Sequence, residues 1–196
     1  MPSKAVLFDL GGVLLPFDQE RRVAAIARQL EVEARDIRDL FDGPLPRQMD
    51  RGEADETDFA AAFAELSGRP VAPATARALI LSVFEAPNDE LWRLAGDLRR
   101  TLIVGGFSDN PAFVREVFPP GAYIEPMFFS AEIRACKPSP EAFEAVEASL
   151  SLPPAEILFI DDTAANVEAA LARGWDAFRF TDNARLIADL AARGLP

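Results

Sequence analysis

Two apolar runs in this chain end in acid: Ala5-Val6-Leu7-Phe8 leads into Asp9, and Ile157-Leu158-Phe159-Ile160 leads into Asp161-Asp162. Such short, continuously apolar runs, rich in β-branched and aromatic residues, read as parallel strands covered on both faces. A carboxylate has no place in the middle of such a strand, so the acids mark carboxyl ends. In open α/β sheets ligands bind outside that edge, where the strand order reverses. With these two strands as neighbours there, three carboxylates converge against their own repulsion. A divalent cation resolves the conflict, and an all-oxygen donor set selects Mg²⁺. The plainer alternative makes each acid a helix N-cap or a turn residue, but two acid-terminated strands in one chain weigh against it.

Two further residues could serve the same edge. Ser108 follows Leu102-Ile103-Val104-Gly105-Gly106-Phe107 and begins Ser108-Asp109-Asn110-Pro111, where a hydroxyl and free amides at a helix start would suit a phosphate. Lys137 lies in Cys136-Lys137-Pro138-Ser139-Pro140-Glu141, where two prolines fix the backbone ahead of a helix beginning near Pro140. Taken alone, the serine reads as a cap and the lysine as a surface charge.

Composition removes the competing chemistries. The chain has no histidine, which excludes Ser-His-Asp and Cys-His machinery, histidine-bound zinc and an imidazole base. Its single cysteine, Cys136, excludes an intrachain disulfide and suits a reducing compartment, so a cytoplasmic location is expected. Twenty Lys and Arg against 32 Asp and Glu give a net charge of -12, which argues against nucleic acid and anionic membranes as partners. Asp9 and Gly11-Gly12 interrupt the apolar start that would otherwise resemble a secretory signal, and no apolar run approaches a bilayer span.

The elements that must position these residues follow from periodicity. Strands are expected at the two acid-ended runs, at Leu102-Ile103-Val104, near Met127-Phe128-Phe129 and at Ala177-Phe178-Arg179-Phe180. Helical spacing lies between them: Phe143, Val146 and Leu150, then Val167, Ala170 and Leu171, closed by Gly174. This alternation predicts a doubly wound, Rossmann-like α/β layer. Residues 18–87 break it, with helical spacing (Val23, Ile26, Leu30; Phe59, Phe63, Leu66) and no strand. Gly43-Pro44-Leu45-Pro46, Gly68-Arg69-Pro70 and Ala72-Pro73 divide them into about four helices by turn chemistry, with hinges at Pro16 and Ala86-Pro87-Asn88. The expected division is a core of 1–17 and 88–196 and a small helical lid of 18–87. Phe59, Phe63 and Leu66 are expected to pack within that lid, Glu53, Asp55, Glu56 and Asp58 to form a solvated helix start, Cys136 to be a small buried filler, and Trp92 and Trp175 to be packing residues.

With these residues in hand, the sequence resembles the haloacid dehalogenase superfamily over essentially its whole length. Phe8-Asp9-Leu10-Gly11-Gly12-Val13-Leu14 is similar to that family's first motif, the Ser108 segment to its second, Lys137-Pro138-Ser139-Pro140 to its third, and the run 159–170 (PheIleAspAspThrAlaAlaAsnValGluAlaAla) to its fourth, in the family's order and spacing. The segment 18–87 is similar to the cap the family inserts after its first motif.

The resemblance implies a Mg²⁺-dependent phosphatase acting on a small phosphorylated metabolite through an aspartyl-phosphate. It implies Asp9 as nucleophile, Ser108 as a hydrogen-bond donor to a phosphoryl oxygen, and Lys137 as the cation between nucleophile and phosphate. The metal set it implies is Asp9, the Gly11 carbonyl, Asp161 and Asp162, with Asp162 favoured over Asp161 as the direct ligand. Gly11 is a departure. Most family phosphatases carry there a second aspartate that gives its carbonyl to the metal and its carboxyl to acid-base catalysis. The carbonyl survives here and the proton donor does not. Members resembling sugar-1-phosphate phosphatases share this glycine. Asp18, Asp109 or a cap residue could take over the proton; without one, acyl, aryl and anomeric sugar phosphates should be preferred over simple alkyl phosphates. The alternatives are a metal-independent 2-haloacid dehalogenase, whose leaving halide needs no proton, and a catalytically idle fold that binds a phosphometabolite or partner. Paired Asp161-Asp162 argues against the first. Gly11, and Asp109 where the family usually has an asparagine after the hydroxyl, are what motivate the second.

Overall fold

The computed structural model describes residues 3–82, 84, 87–119 and 124–195. The chain runs β1 (Ala5–Phe8), α1 (Gln19–Leu30), α2 (Ala34–Asp42), α3 (Leu45–Asp50), α4 (Glu56–Ser67), α5 (Pro73–Leu81), α6 (Asp89–Leu98), β2 (Ile103–Ser108), β3 (Met127–Phe129), α7 (Ser130–Ile133), α8 (Pro140–Leu150), β4 (Ile157–Asp161), α9 (Ala164–Ala172), β5 (Asp176–Arg179) and α10 (Asn183–Ala192). The five strands form one parallel sheet in the order β3-β2-β1-β4-β5. From β1 the chain winds outward through β2 to β3 on one side, and through β4 to β5 on the other. The order therefore reverses between β1 and β4.

Period-two alternation sorts the strand side chains onto two covered faces. Val6, Phe8, Val104, Leu158 and Ile160 pack with Leu91, Trp92 and Leu98 of α6 and Leu186 and Leu190 of α10. Leu7, Phe107 and Phe159 point the other way, into Phe143 and Val146 of α8, Val167 and Ala170 of α9, and Trp175. Both tryptophans are buried, with Trp92 Nε1 donating to the Leu14 carbonyl (3.1 Å) and Trp175 Nε1 to Glu147 (2.8 Å).

Helices α1 to α5 assemble around a separate core that includes Val23, Ile26, Leu30, Ile37, Phe41, Phe59, Phe63, Leu79 and Ile80. Asp18 caps α1 by accepting from the amides of Glu20 and Arg21. Asp55 and Asp58 form a capping box at the start of α4. The two connections to the sheet meet where Phe17 bridges Phe84. Of the expected hinge at Ala86-Pro87-Asn88, Ala86 lies outside the described residues, and Asn88 caps α6.

Three expectations need correction. Among its described residues the segment 18–87 holds five helices, because the prolines of Gly43-Pro44-Leu45-Pro46 open a short helix rather than a loop: proline fits the first turn, where its missing N–H costs nothing. Leu66 shares the helical face of Phe59 and Phe63 but is exposed, next to the last residue of α4 and outside the core those two phenylalanines join. No α-helix starts at Ser108; a 3₁₀ segment, Ala112–Val117, follows instead. Among the described residues no helix is long and apolar enough to cross a membrane.

Candidate active site

Strand register builds the site. Phe8 pairs with Ile160, so Asp9 follows directly beside Asp161, and the Asp9 amide donates to the Ile160 carbonyl (2.8 Å). Both acids thus leave the sheet at its carboxyl edge, at the point where the strand order reverses. One carboxylate oxygen each from Asp9, Asp161 and Asp162 can be chosen so that all three lie within 4.8 Å of one another.

Lys137 holds two of these acids together. Its Nζ lies 2.7 Å from Asp161 Oδ2 and 3.1 Å from Asp9 Oδ1, and donates to the Phe107 carbonyl at 2.9 Å. The ammonium is almost wholly buried, between the rings of Phe107 and Phe159. Burial alone would lower its pKa, but Asp9, Asp161 and Asp109 together hold it above the ordinary lysine value, so it stays charged. Burial pushes the Asp9 carboxyl up to about 7, with Asp161 adding to the rise and Lys137 opposing it. One lysine does not compensate this much buried negative charge.

The two neighbouring aspartates are in different situations. Asp161 Oδ1 accepts from the Thr163 amide (2.8 Å) and Asn166 Nδ2 (3.1 Å), while Oδ2 accepts from Asn166 (3.0 Å) and Lys137. Its lone pairs are committed to the protein. Asp162 is half-buried, and among the described residues its carboxylate accepts from the Thr163 hydroxyl, at 3.4 Å, and from its own amide. Burial and Asp161 both raise its pKa. Gly12 makes room for it: at φ +77° this residue sits in the left-handed region, and a Cβ there would run into the Asp162 carboxylate. The acids Asp9 and Asp162, under-compensated, oxygen-only and held at close range, fit a small hard cation.

A cavity of about 350 Å³ opens over this edge. Its floor comes from the sheet: Asp9, Gly11, Ser108, Asp109, Lys137 and Asp162. Ser108 Oγ accepts from Asn110 Nδ2 (2.9 Å), which leaves its own proton to donate. Asp109 Oδ1 accepts from the Lys137 amide (3.0 Å), tying the Ser108 turn to the lysine loop. The roof comes from the helical unit and includes Arg22 of α1, Met49 and Asp50 of α3, Phe59 of α4 and Ile80 of α5. A phosphate on the floor would meet the Ser108 hydroxyl, the Lys137 ammonium and the Asp9 carboxylate, groups that suit phosphoryl transfer.

A model of haloacid dehalogenase-like hydrolases matches residues 3–174. The chain belongs to this family. Among haloacid dehalogenase-like proteins of known activity it is 23% identical over 188 residues to a D-ribitol-5-phosphate phosphatase of Bacteroides thetaiotaomicron, with 90% of this chain and 91% of that protein covered. A family enzyme from the same organism, solved with magnesium and inorganic phosphate, superposes with a TM-score of 0.80 at 26% identity, covering 94% of this chain and 98% of the other. The L-2-haloacid dehalogenase of Xanthobacter autotrophicus, solved with chloropropionic acid covalently bound, shares the fold at a TM-score of 0.63 and 20% identity, covering 97% of this chain and 83% of the other.

The residues singled out in the sequence, Asp9, Gly11, Ser108, Lys137, Asp161 and Asp162, come together in one place, with Asp161 the last residue of β4. Asp18, considered above as a proton source, caps α1 and does not line the cavity. Phe59, expected to serve lid packing alone, also faces the cavity. Cys136 is half-buried and its thiol donates to the Asp50 carbonyl (3.6 Å); burial raises its pKa, so it is not an activated thiol. The residues that sequence reasoning passed over are Asn166, Arg22 and Asp50. Asn166 had a signal, since it stands one helical turn beyond the acid pair and an amide there can reach back to the strand end. Arg22 and Asp50 had none, because nothing in the spacing of the insertion says which side of a helix faces the sheet.

Proposed function

We propose that this protein is a Mg²⁺-dependent phosphatase that hydrolyses a small phosphorylated metabolite, a sugar or polyol phosphate or a similar phosphomonoester, through an aspartyl-phosphate on Asp9. One observation carries the reading: of the close trio Asp9, Asp161 and Asp162, Asp9 and Asp162 open into a cavity that also presents Ser108 and Lys137, with Asp161 buried behind them. The phosphatase relative and the magnesium and phosphate complex of a family enzyme support it.

Asp9, the Gly11 carbonyl and Asp162 would hold the metal directly, and Asp161 acts from behind through Lys137. When bound, Mg²⁺ screens the phosphate from the nucleophile and lowers the pKa of Asp9. Asp9 Oδ1 is held by the Leu10 amide (2.7 Å) and Lys137, which fixes the carboxylate for attack on phosphorus. The Ser108 hydroxyl donates to a phosphoryl oxygen, and the Lys137 ammonium draws charge from Asp9 and phosphate alike. Helices α1 to α5, within residues 18–87, act as the cap on the core of 1–17 and 88–196. They close the cavity to a size that suits a metabolite and not a macromolecule. The acidic composition disfavours nucleic acid and anionic membranes, and the single cysteine suits the cytoplasm.

The test is a screen of phosphorylated metabolites with Mg²⁺ and with EDTA. Phosphate release that requires Mg²⁺ is expected. Metal-independent halide release from 2-haloacids would replace this reading with a dehalogenase, and inactivity throughout would replace it with an idle binding fold.

A further inference from the structure

The residue two places after the nucleophile is Gly11, which has no proton to give. A leaving alkoxide still needs one. In an in-line displacement the ester oxygen departs on the side opposite the attacking carboxylate. Asp9 belongs to the floor, so the leaving group faces the roof. Among the described roof residues of the helical unit, Asp50 is the one acid. We propose that Asp50, the last residue of α3, is the catalytic proton donor to the leaving group and so replaces from the cap the acid that Gly11 lacks.

The proposal rests on the phosphatase reading and stands on three features of Asp50. Its carboxyl has no hydrogen-bond partner among the described residues, although burial and the nearby Asp109 push its pKa up to about 7, against the opposing charge of Arg22. It lines the cavity together with Asp9, Ser108 and Lys137. Its backbone is fixed to the core: Cys136 Sγ donates to the Asp50 carbonyl, and Gly52, at φ +67°, lies so close to the Ala131 carbonyl that a Cβ would collide with it. A cap carboxyl docked in this way holds its position relative to the floor. Asp109 is a weaker candidate, because it sits beside the phosphate-facing Ser108 and one of its oxygens already anchors Lys137.

The proton account closes. As an Asp9 oxygen bonds to phosphorus, the ester P–O bond breaks with its electron pair going to the ester oxygen, which takes the Asp50 proton and leaves as the alcohol. Asp50, now a carboxylate, accepts a proton from the water that attacks the aspartyl-phosphate at phosphorus. The Asp9 O–P bond breaks, its electron pair returns to Asp9, inorganic phosphate leaves, and Asp50 is protonated again.

The charged and titratable groups around Asp50 are Arg22 from α1, Asp109 after β2, Cys136 and Lys137 ahead of α8, and Arg47 and Arg51 on its own helix and cap. A donor must be protonated, so wild-type kcat/KM for an alkyl phosphate should fall as pH rises through about 7.

The experiment compares p-nitrophenyl phosphate, whose leaving group needs no proton, with a pentitol phosphate, whose leaving group does, in the wild type, Asp50→Asn and Asp50→Glu. Asp50→Asn should lose roughly 10² to 10⁴ in kcat/KM on the pentitol ester and lose the fall above neutral pH, with Asp50→Glu recovering part of the loss; on the aryl ester kcat/KM, which reads only the steps up to departure of the leaving group, should change little, while kcat should fall because Asp50 also takes the proton of the attacking water. A retained kcat/KM on the aryl ester shows that the variant is folded. Equal losses on both esters, or no loss on either, would overturn the proposal while leaving the phosphatase reading intact. A wild type that hydrolyses neither ester with Mg²⁺ present would overturn both.

Discussion

Lys137 Nζ lies 2.7 Å from Asp161 Oδ2, and both side chains are almost completely buried. The same ammonium reaches Asp9, so Asp161 helps to set the position of the cation beside the proposed nucleophile. Asp161 is thereby a positioning residue, and Asp162 beside it is left with free lone pairs. Two adjacent, chemically identical side chains take different work because one is satisfied by the protein and the other is not.

That division predicts different failures. Asp162→Ala should chiefly weaken Mg²⁺ binding, so its activity should recover partly at high metal. Lys137→Ala should show no such recovery, because the lost cation acts on the Asp9 side of the phosphate. A Mg²⁺ titration of phosphatase activity in both variants checks this. Equal rescue of both, or of neither, would contradict the assignment.

Asp161→Ala removes a buried partner of a buried charge. The ammonium keeps Asp9, but the Thr163 amide and Asn166 Nδ2 lose their acceptor, so the expected cost is about 1–3 kcal/mol in stability. Urea unfolding reads the stability change. Activity in the folded fraction should follow Lys137→Ala rather than Asp162→Ala in its response to Mg²⁺.

Gly12→Ala tests the close approach between the Asp9 turn and Asp162. A left-handed backbone costs a non-glycine residue roughly 1–2 kcal/mol, and the new methyl must displace the Asp162 carboxylate. We expect a lower Tm together with a higher Mg²⁺ requirement. A lower Tm with unchanged metal dependence would show that Asp162 is not a ligand.

Much of this site was legible in the sequence because the chemistry and the strand ends coincide. The apolar runs fix β1 and β4, and the acids that stop them can lie only at the sheet's edge. Parallel strands covered on both faces show no alternation, so the run itself, not its period, marked the strand. Ser108 and Lys137 were found through motif order; alone, each is an ordinary cap or surface residue. Asp50 was hidden because its neighbours Arg47, Arg51 and Glu53 give the segment the look of a solvated stretch. Only the docking of the end of α3, with the Asp50 carbonyl on the Cys136 thiol and Gly52 against the Ala131 carbonyl, turns that acid inward. The short α3 itself was concealed by its prolines, which read as a break in a chain and act as a start in a helix.

Gly11→Asp bears on the proton. A Cβ at Gly11 meets nothing within 4 Å, and the residue is not in the left-handed region, so an aspartate can be built there without strain. Placed in the Asp50→Asn background, it should restore hydrolysis of alkyl phosphates toward the wild-type level. The same kcat/KM comparison of pentitol and aryl esters measures it, and an unrestored double variant with unchanged Mg²⁺ dependence would speak against a simple exchange of proton donors.

Arg22 tunes the same group. Its guanidinium lies 3.6 Å over the Phe41 ring, and its charge holds the Asp50 pKa down. With Arg22→Gln the carboxyl should keep its proton to higher pH. The fall in alkyl-phosphate turnover above neutrality should then shift upward in a pH profile; a downward shift would contradict the arrangement.

The central claim is that phosphorus is transferred to Asp9. The most direct measurement is the mass of the intact protein after acid quench within milliseconds of mixing with p-nitrophenyl phosphate and Mg²⁺, followed by peptide mapping. The wild type should show a population heavier by one HPO₃ group, located on the peptide that carries Asp9, and Asp9→Asn should show none and turn over no substrate while keeping its fold. Phosphate release from an Asp9→Asn protein at the wild-type rate, or a modified population in that variant, would contradict the account.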